Sequence, residues 1–369
     1  MTKEKSKTIA VGMSGGVDSS VTAYLLKKQG HNVIGVTMKI CDGSISVRGH
    51  SRSSCYGPGE DSDIEAAQKA ASEIGIPFYV INLQEEYKQA VLEYFRGEYL
   101  CGKTPNPCVI CNQKIKFGLL LDKAHQSGLS FDLFATGHYA RIERDALSKR
   151  TFLKKSFDAK KDQTYFLYRL KPEQLDKTLF PLGDFLKDDV RKTAVQIGLK
   201  DIADKPESQD FYEGDCYADF FQDSDSQPGA IIDVSGRILG RHRGVIHYTI
   251  GQRKGLKLGG LKDPLYVIDI DSCNNQILVG PREYLLAGGL IAGELNWLSI
   301  SAPSAPIKVS AKIRSSQPEK PCEVIPFDSH RVRVDFEEPQ MSITPGQSIV
   351  FYDGDVVVGG GVIQQAIKN

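Results

Sequence analysis

The strongest constraint on the fold lies at the start of the chain, in Thr8-Ile9-Ala10-Val11-Gly12-Met13-Ser14-Gly15-Gly16-Val17-Asp18-Ser19-Ser20. A short apolar run ends in a Ser-Gly-Gly-x-Asp-Ser loop, and residues 21–28 read as an amphipathic helix. A strand that turns through glycines into a helix N-terminus makes an anion site. The glycines let backbone N–H groups approach the anion, and the helix dipole favours negative charge there. Ser14, Ser19 and Ser20 add hydroxyl donors. The pattern is not G-x-x-x-x-G-K-[ST], which places a lysine on the terminal phosphates, nor is it G-x-G-x-x-G.

Downstream the chain alternates strand and helix. Strands are expected at 9–11, 33–38, 78–82 and 131–136, with helices at 64–74 and 86–98. Such alternation predicts an α/β fold, a doubly wound parallel sheet with ligands at the carboxyl ends of its strands. Residues 41–60, with their Gly, Ser and Arg, read as a loop. Beyond about residue 210 short strands follow one another, among them 231–233, 266–270, 308–314, 331–336, 348–352 and 356–363. They predict a small β barrel at the C-terminus. The expected division is an α/β domain over 1–210, a small central domain over 211–282 and a β-barrel domain over 283–369.

Charge excludes little. Lys+Arg 46 balances Asp+Glu 46, so any nucleic-acid surface must be local. No run approaches a membrane span, and the first seven residues lack the apolar core of a signal peptide. Eight cysteines in 369 residues do not make a disulfide scaffold. A cytoplasmic protein with reduced thiols is expected, in which clustered cysteines serve chemistry or metal binding.

Four further stretches carry chemistry. Gly102-Lys103-Thr104-Pro105-Asn106-Pro107-Cys108-Val109-Ile110-Cys111-Asn112 places a rigid two-proline turn before a Cys-x-x-Cys, near a helix start that favours a thiolate. Ala135-Thr136-Gly137-His138 ends a buried strand, where such a sheet binds its ligand. Lys161-Asp162-Gln163 adjoins a run of lysines, and His247-Tyr248-Thr249-Ile250-Gly251-Gln252-Arg253-Lys254 is basic and glycine-flanked. Alone, Cys108 and Cys111 suit structural zinc or a redox pair equally well. There is no second Cys-x-x-Cys or His-x-x-x-His to complete a zinc site, so zinc ranks below sulfur chemistry. Cys101, Cys273 and Cys322 read as buried small hydrophobes. Lys160-Lys161, Arg241-His242-Arg243, Arg253-Lys254 and Lys312-Ile313-Arg314 are candidate phosphate contacts.

The opening loop resembles the pyrophosphate loop of the N-type ATP pyrophosphatases. In order and spacing, all these motifs together resemble the tRNA-specific 2-thiouridylases of the MnmA family. The resemblance runs from residue 8 to the C-terminus. It takes in Phe180-Pro181-Leu182-Gly183, residues 205–210, Thr344-Pro345-Gly346-Gln347-Ser348 and Gly359-Gly360-Gly361.

The resemblance implies an adenine nucleotide alpha hydrolase-like domain, a small central domain and a β barrel. The implied reaction replaces the 2-oxygen of the wobble uridine of tRNA by sulfur: ATP adenylates the oxygen, and a sulfur nucleophile displaces AMP. Gly12, Met13, Ser14, Gly15, Gly16, Val17, Asp18 and Ser19 would hold the pyrophosphate, with Asp18 near Mg²⁺ and with Met38 and Gly137 bordering the nucleotide. Asn106, Pro107, Cys108, His138, Lys161, Asp162, Gln163, Arg314 and Gln347 would meet tRNA, and Cys111 matches the nucleophile. The implied partners are tRNA and a sulfur donor, whether a sulfur-relay protein, a cysteine desulfurase or sulfide.

The sequence departs from the family pattern at two places. Cys108 stands where many members have an aspartate, and Tyr212 stands at the position of the persulfide-carrying cysteine, with Cys216 four residues on. Two sulfur carriers therefore stay open. One is a rearranged persulfide relay. The other is a 4Fe–4S cluster held by Cys108 and Cys111 with Cys55, or less favourably Cys216, as third ligand. The rival readings are a related ligase acting on a small molecule and a non-catalytic tRNA-binding or sulfur-carrying relative.

Overall fold

The apolar run at the start of the chain forms strand β1 (Thr8–Gly12), in which Ile9, Ala10 and Val11 have no exposed surface. A strand apolar on both faces belongs in the middle of a covered parallel sheet. The computed structural model, which describes residues 6–47, 54–145, 150–203, 208, 210–259 and 263–368, places it there. The chain divides into two units, Met1–Ala90 with Cys108–Cys216 and Asp355–Val357, and Val91–Pro107 with Tyr217–Gly354 and Val358–Asn369.

In the first unit β1 continues through a glycine turn into helix α1 (Val17–Lys28) and strand β2 (Asn32–Lys39). The short strand β3 (Ser54–Tyr56) precedes helix α2 (Glu60–Ile74), which ends on left-handed Gly75 and leads into β4 (Phe78–Asn82). Strand β5 (Leu133–Thr136) returns to the middle of the sheet. The hairpin β6 (Ala140–Arg144) and β7 (Thr151–Lys155) precedes β8 (Thr178–Leu179), helix α3 (Lys187–Gln196) and β9 (Asp210–Tyr212). The main sheet is parallel with order β4-β2-β1-β5-β8. Strand order reverses between β1 and β5, the switch point where a doubly wound sheet opens a crevice. One core packs Ile9, Val11, Val21 and Leu26 against Ala67, Ala70 and Ala71 of α2 and Val190 and Ala194 of α3.

The expected loop at 41–60 contains β3, which pairs in parallel with β9 (Ser54 with Asp210, Tyr56 with Tyr212). A three-residue strand with a distant partner leaves no period to read. Residues 48–53, 204–207 and 209 lie outside the described residues, and with them most of the 205–210 motif. The expected helix at 86–98 occurs as Gln84–Tyr87, a π-helical stretch Lys88–Leu92, and Glu93–Leu100.

The second unit holds two β cores. Strands β10 (Gly229–Asp233), β11 (Ile238–His242), β12 (Tyr266–Asp271) and β13 (Gln276–Gly280) form a sheet of order β11-β10-β13-β12 around Ile231, Val267, Ile277 and Val279. Strands β14 (Leu286–Trp297), β15 (Ile307–Lys312), β16 (Lys320–Pro326), β17 (Val332–Met341), β18 (Ser348–Asp353) and β19 (Val356–Ile367) follow in the order β14-β17-β16-β15-β18-β19. Pairing of β19 with β14 closes them into the expected barrel, with Trp297 stacked on Phe351 inside. Closure removes the sheet edges that would otherwise invite pairing with another chain.

Candidate active site

A cleft of about 290 Å³ opens at the carboxyl ends of β1, β2 and β5. Its floor is the glycine loop. Gly15 has φ +71°, and a Cβ there would stand 2.3 Å from the Asp63 carbonyl oxygen, so glycine alone fits. Gly16 caps α1 without a side-chain hydrogen bond, which leaves the first N–H groups of the helix for a ligand. Ser19 closes the loop: its hydroxyl accepts from the Ser14 N–H at 3.2 Å and donates to the Gly16 carbonyl at 3.1 Å. Gly137, at the end of β5, lies so close that a Cβ would be 2.8 Å from both Asp18 C and Ser19 N.

Asp18 is already engaged. Lys187 at the start of α3 places its ammonium 2.8 and 2.7 Å from the two carboxylate oxygens, and the Tyr139 hydroxyl donates to one of them at 2.9 Å. Sequence reading assigned Asp18 a metal and gave Lys187 no role. The two lie 169 residues apart, and no local pattern joins them.

Gly12, Met13, Ser14, Gly16, Val17, Asp18 and Ser19 line the cleft with Met38 and Gly137, while Gly15 is turned against α2. His138, Gln163 and Cys55 line it too. His138 Nδ1 is 2.7 Å from the Thr136 hydroxyl, and burial, helped by the nearby Lys116 charge, pushes the imidazole well below its ordinary pKa. Gln163 accepts from the Tyr139 N–H at 2.9 Å. Asp162 is a turn-former, accepting from the Ser156 N–H at 3.0 Å and the Thr164 hydroxyl at 2.7 Å, with Lys161 half-buried beside it.

The Cys-x-x-Cys opens a helix as expected, but an unusual one. After Pro107–Ile110, nine residues, Cys111–Leu119, are π-helical before Leu120–Gln126 resumes the α form. Widened turns of this kind are rare and often mark functional positions. Gln174 supports this one by donating to the carbonyls of Gln113 and Phe117 at 2.9 and 2.7 Å. Lys116 and Leu120 of this helix line the cleft. Cys111 itself is buried and Cys108 half-buried, and neither is among the described residues that line the cleft. Burial pushes the Cys111 thiol up to about 12 and raises the Cys108 thiol as well, and Lys116 opposes the rise at both.

Cys55, accessible on the cleft wall, is near enough for its charge to act on both other thiols. Among the described residues, however, no three His, Cys, Asp or Glu side chains are grouped to hold a metal ion. As placed, the three thiols do not fit a cluster. Tyr212 is fully buried on β9, with Gly214 pressed on its ring, so the carrier position is a core position here. Cys216 is exposed. Of the cysteines expected to be buried, Cys322 is, whereas Cys101 follows a helix end and Cys273 sits between β12 and β13, both exposed.

In the second unit Arg314 donates to the Ser342 carbonyl and the Thr344 hydroxyl at 3.1 and 3.0 Å. Gln347 donates to the carbonyls of Thr104 and Pro105, and the Thr104 N–H donates to the Pro345 carbonyl at 2.9 Å. The Thr-Pro-Gly-Gln turn of the barrel thereby grips the turn that carries Asn106 and Pro107.

Fold and site together define a doubly wound phosphate-loop domain, with a nucleotide-sized cleft and a thiol-bearing helix, joined to two β domains. Family models match all three parts: a "tRNA methyl transferase HUP domain" over 7–213, a "tRNA methyl transferase PRC-barrel domain" over 219–281 and an "Aminomethyltransferase beta-barrel domain" over 287–363. A tRNA-specific 2-thiouridylase MnmA of Endomicrobium trichonymphae is 50% identical over 362 residues, 98% of this chain and 99% of the relative. That of Caldanaerobacter subterraneus subsp. tengcongensis is 49% identical over 371 residues, 99% of this chain and 100% of the relative. That of Clostridioides difficile is 46% identical over 369 residues, 98% of this chain and 99% of the relative. The chain belongs to the tRNA-specific 2-thiouridylase family.

Solved structures resemble it more distantly. The NMN synthetase of Francisella tularensis has a TM-score of 0.33 at 18% identity, over 56% of this chain and 67% of that one. A 4-thiouridine synthetase bound to RNA and ATP has 0.33 at 17%, over 58% and 45%.

Proposed function

We propose that the protein is a tRNA-uridine 2-sulfurtransferase that spends ATP to activate the 2-oxygen of a uridine and replaces that oxygen by sulfur. The family models speak of methyl transfer and the curated relatives of thiolation; the relatives align over almost the whole chain, and the reading follows them. The observation that carries the ATP step is the uncapped N-terminus of α1 beneath Gly15, inside the cleft and without a Walker-type lysine in the loop. A carbonyl oxygen is a poor leaving group, and adenylation turns it into AMP. Gly12–Ser19 would bind the pyrophosphate part, with Met38 and Gly137 beside the nucleotide. Asp18 would hold Mg²⁺ together with the phosphates, and the ion would neutralise phosphate charge.

For tRNA, the reading rests on exposed Lys160, Arg241, Arg243, Arg253 and Lys254. Asn106, Pro107, His138, Lys161, Asp162 and Gln163 would approach the target base, and Arg314 and Gln347 would act from the barrel. Cys108 and Cys111 would act together in the sulfur step, with Cys55 as the third thiol. A persulfide on these thiols would present the sulfur. A sulfur-relay protein or a cysteine desulfurase would load that persulfide, whereas sulfide as donor would displace AMP from the activated base directly; the compartment would be the cytoplasm. Among the described residues no helix is long and apolar enough to cross a membrane. The proposed division into 1–210, 211–282 and 283–369 rests on three separate apolar cores.

The test is product analysis. Purified protein with ATP and unmodified tRNA should release AMP and pyrophosphate, and Asp18→Ala should abolish release. ADP and phosphate as products would exclude the reading.

A further inference from the structure

Lys187 is a buried cation in the cleft to which the reaction above gives no task. The chain builds its position with care. Four residues earlier comes the Phe180-Pro181-Leu182-Gly183 turn, packed so closely that a Cβ on Gly183 would lie 2.1 Å from the Ala140 carbonyl oxygen. The Gly183 carbonyl accepts from the Phe157 N–H at 2.8 Å and from the Ser156 hydroxyl at 3.3 Å. The Lys187 N–H donates to Asp158 at 3.1 Å. With both ends of 183–187 pinned, the side chain reaches the phosphate loop. Its ammonium contacts both Asp18 oxygens and lies 5.7 Å from the centre of the Tyr139 ring. The residue is 4% exposed and lines the cleft.

Such a pair does little for stability by itself, since desolvation offsets most of the attraction. Its place is more informative. The loop offers hydroxyls and N–H groups to a leaving group of several negative charges, and between Gly12 and Ser20 the sequence has no cation. Lys187 brings one to that spot from another part of the chain. We propose that Lys187 is the cation of the pyrophosphate subsite. Asp18 holds it over the loop. When ATP enters, the ammonium turns to the β- and γ-phosphates.

In the activation step the uracil 2-oxygen bonds to the α-phosphorus. The bond from that phosphorus to the α–β bridging oxygen breaks, and its electron pair leaves on pyrophosphate. The N3 proton of the base passes to solvent. Lys187 offsets the charge of the leaving group. The assignment rests on the ATP-splitting reading above.

The experiment compares wild type, Lys187→Met and Lys187→Arg by calorimetric titration with ATP, AMP and inorganic pyrophosphate, and by the rate of pyrophosphate release with tRNA. Lys187→Met should weaken ATP and pyrophosphate about 10- to 100-fold, as expected for charge-assisted hydrogen bonds. AMP affinity should stay within about threefold, since AMP makes none of these bonds. Pyrophosphate release should slow on the order of 10²-fold, and arginine should restore part of it. If Lys187→Met does not fold, the uncharged pair Asp18→Asn/Lys187→Met replaces it and should show the same loss of pyrophosphate binding. Unchanged pyrophosphate affinity, or AMP weakened as much as ATP, overturns the assignment. Wild type that binds pyrophosphate through Lys187 but releases none from ATP overturns the ATP-splitting reading and leaves the assignment standing.

Discussion

The side-chain amide of Gln347 donates to the carbonyl oxygen of Thr104 at 2.8 Å, and to that of Pro105 at 3.3 Å. A barrel residue thus holds the turn that runs directly into the Cys108–Cys111 helix. Gly346 allows the approach, because its φ is +89° and a Cβ would stand 3.0 Å from the Thr104 backbone. Gln347→Ala should cost about 1–3 kcal/mol by leaving two carbonyls unpaired. Thiolation should fall while ATP affinity holds. Trypsin cleavage at Lys103 distinguishes a turn-holding role from an RNA contact. It should quicken in the variant without RNA, and an unchanged digestion rate excludes the turn-holding role.

Two glycines of the phosphate loop should fail in different ways. Gly15→Ala forces a left-handed conformation, at about 1–2 kcal/mol, and a clash with Asp63, so it should lower both the melting temperature and ATP affinity. Gly137→Ala meets only a steric obstacle, the backbone of Asp18 and Ser19. It should displace the loop and lower ATP affinity at least tenfold with a smaller change in melting temperature, on the scale of an overpacked contact. Calorimetric binding and thermal denaturation of the two variants check the difference.

The parts of this site that were legible in the sequence are those written locally. Thr8–Ser20 predicts strand, turn and helix because apolar run, glycines and serines lie in one stretch. The barrel strands announce themselves by short apolar runs between turns. What was not legible depends on contacts far apart in the chain. Lys187 looks like a surface lysine at a helix start until the fold sets it on Asp18. Cys55 sits in a Gly- and Ser-rich segment whose strand exists only because β9 pairs with it. The π-helical form of Cys111–Leu119 leaves no periodic trace, since its freed carbonyls are met by Gln174 from elsewhere. Arg314 and Gln347 are expected from the resemblance to meet tRNA, and the structure shows both making hydrogen bonds inside their own unit.

RNA affinity should be salt-dependent through particular residues. Arg241 and Arg243 are exposed on either side of His242, which is buried and held to the Asn275 carbonyl at 3.0 Å. Both arginines therefore face solvent, Arg241 from β11 and Arg243 from the bend that follows it. Each alanine substitution should reduce the slope of log affinity against log salt by about 0.7–0.9, the release of one counterion. Filter binding of unmodified tRNA across a salt series measures it. A slope unchanged in the double variant removes this face from the RNA contact.

The buried thiols set a pH signature. Burial pushes Cys111 up to about 12, from an ordinary value of 9.0. Below about pH 9 the thiol is protonated in both folded and unfolded chains, and its contribution is fully present. Between about 9 and 12 the unfolded chain ionises and the folded one does not, so stability falls as pH rises through that window. Alkylation of Cys111 by iodoacetamide, followed by mass spectrometry, should keep rising past pH 9. A plateau there would show that the thiol is not held in an apolar surround.

The sulfur carrier is decided by four cysteines. Cys111 lies in the π-helical stretch, Cys108 one turn before it, and Cys55 on the cleft wall within electrostatic reach of both. Cys216 is exposed, and Tyr212, at the expected carrier position, is buried in the core. If the three thiols come together around iron when sulfur is loaded, alanine at Cys55, Cys108 or Cys111 should each remove iron and thiolation from anaerobically purified protein. Cys216→Ala should keep both. If instead the thiols pass sulfur as a persulfide, wild type should thiolate tRNA in air without iron. The variants should then rank by which thiols relay sulfur, with Cys111 indispensable. Wild-type activity that survives Cys111→Ala excludes both carriers. Iron-free activity that needs only Cys111 and Cys216 excludes the cluster and gives the relay to the exposed thiol, which would then have to reach Cys111 by a movement of the segment after β9.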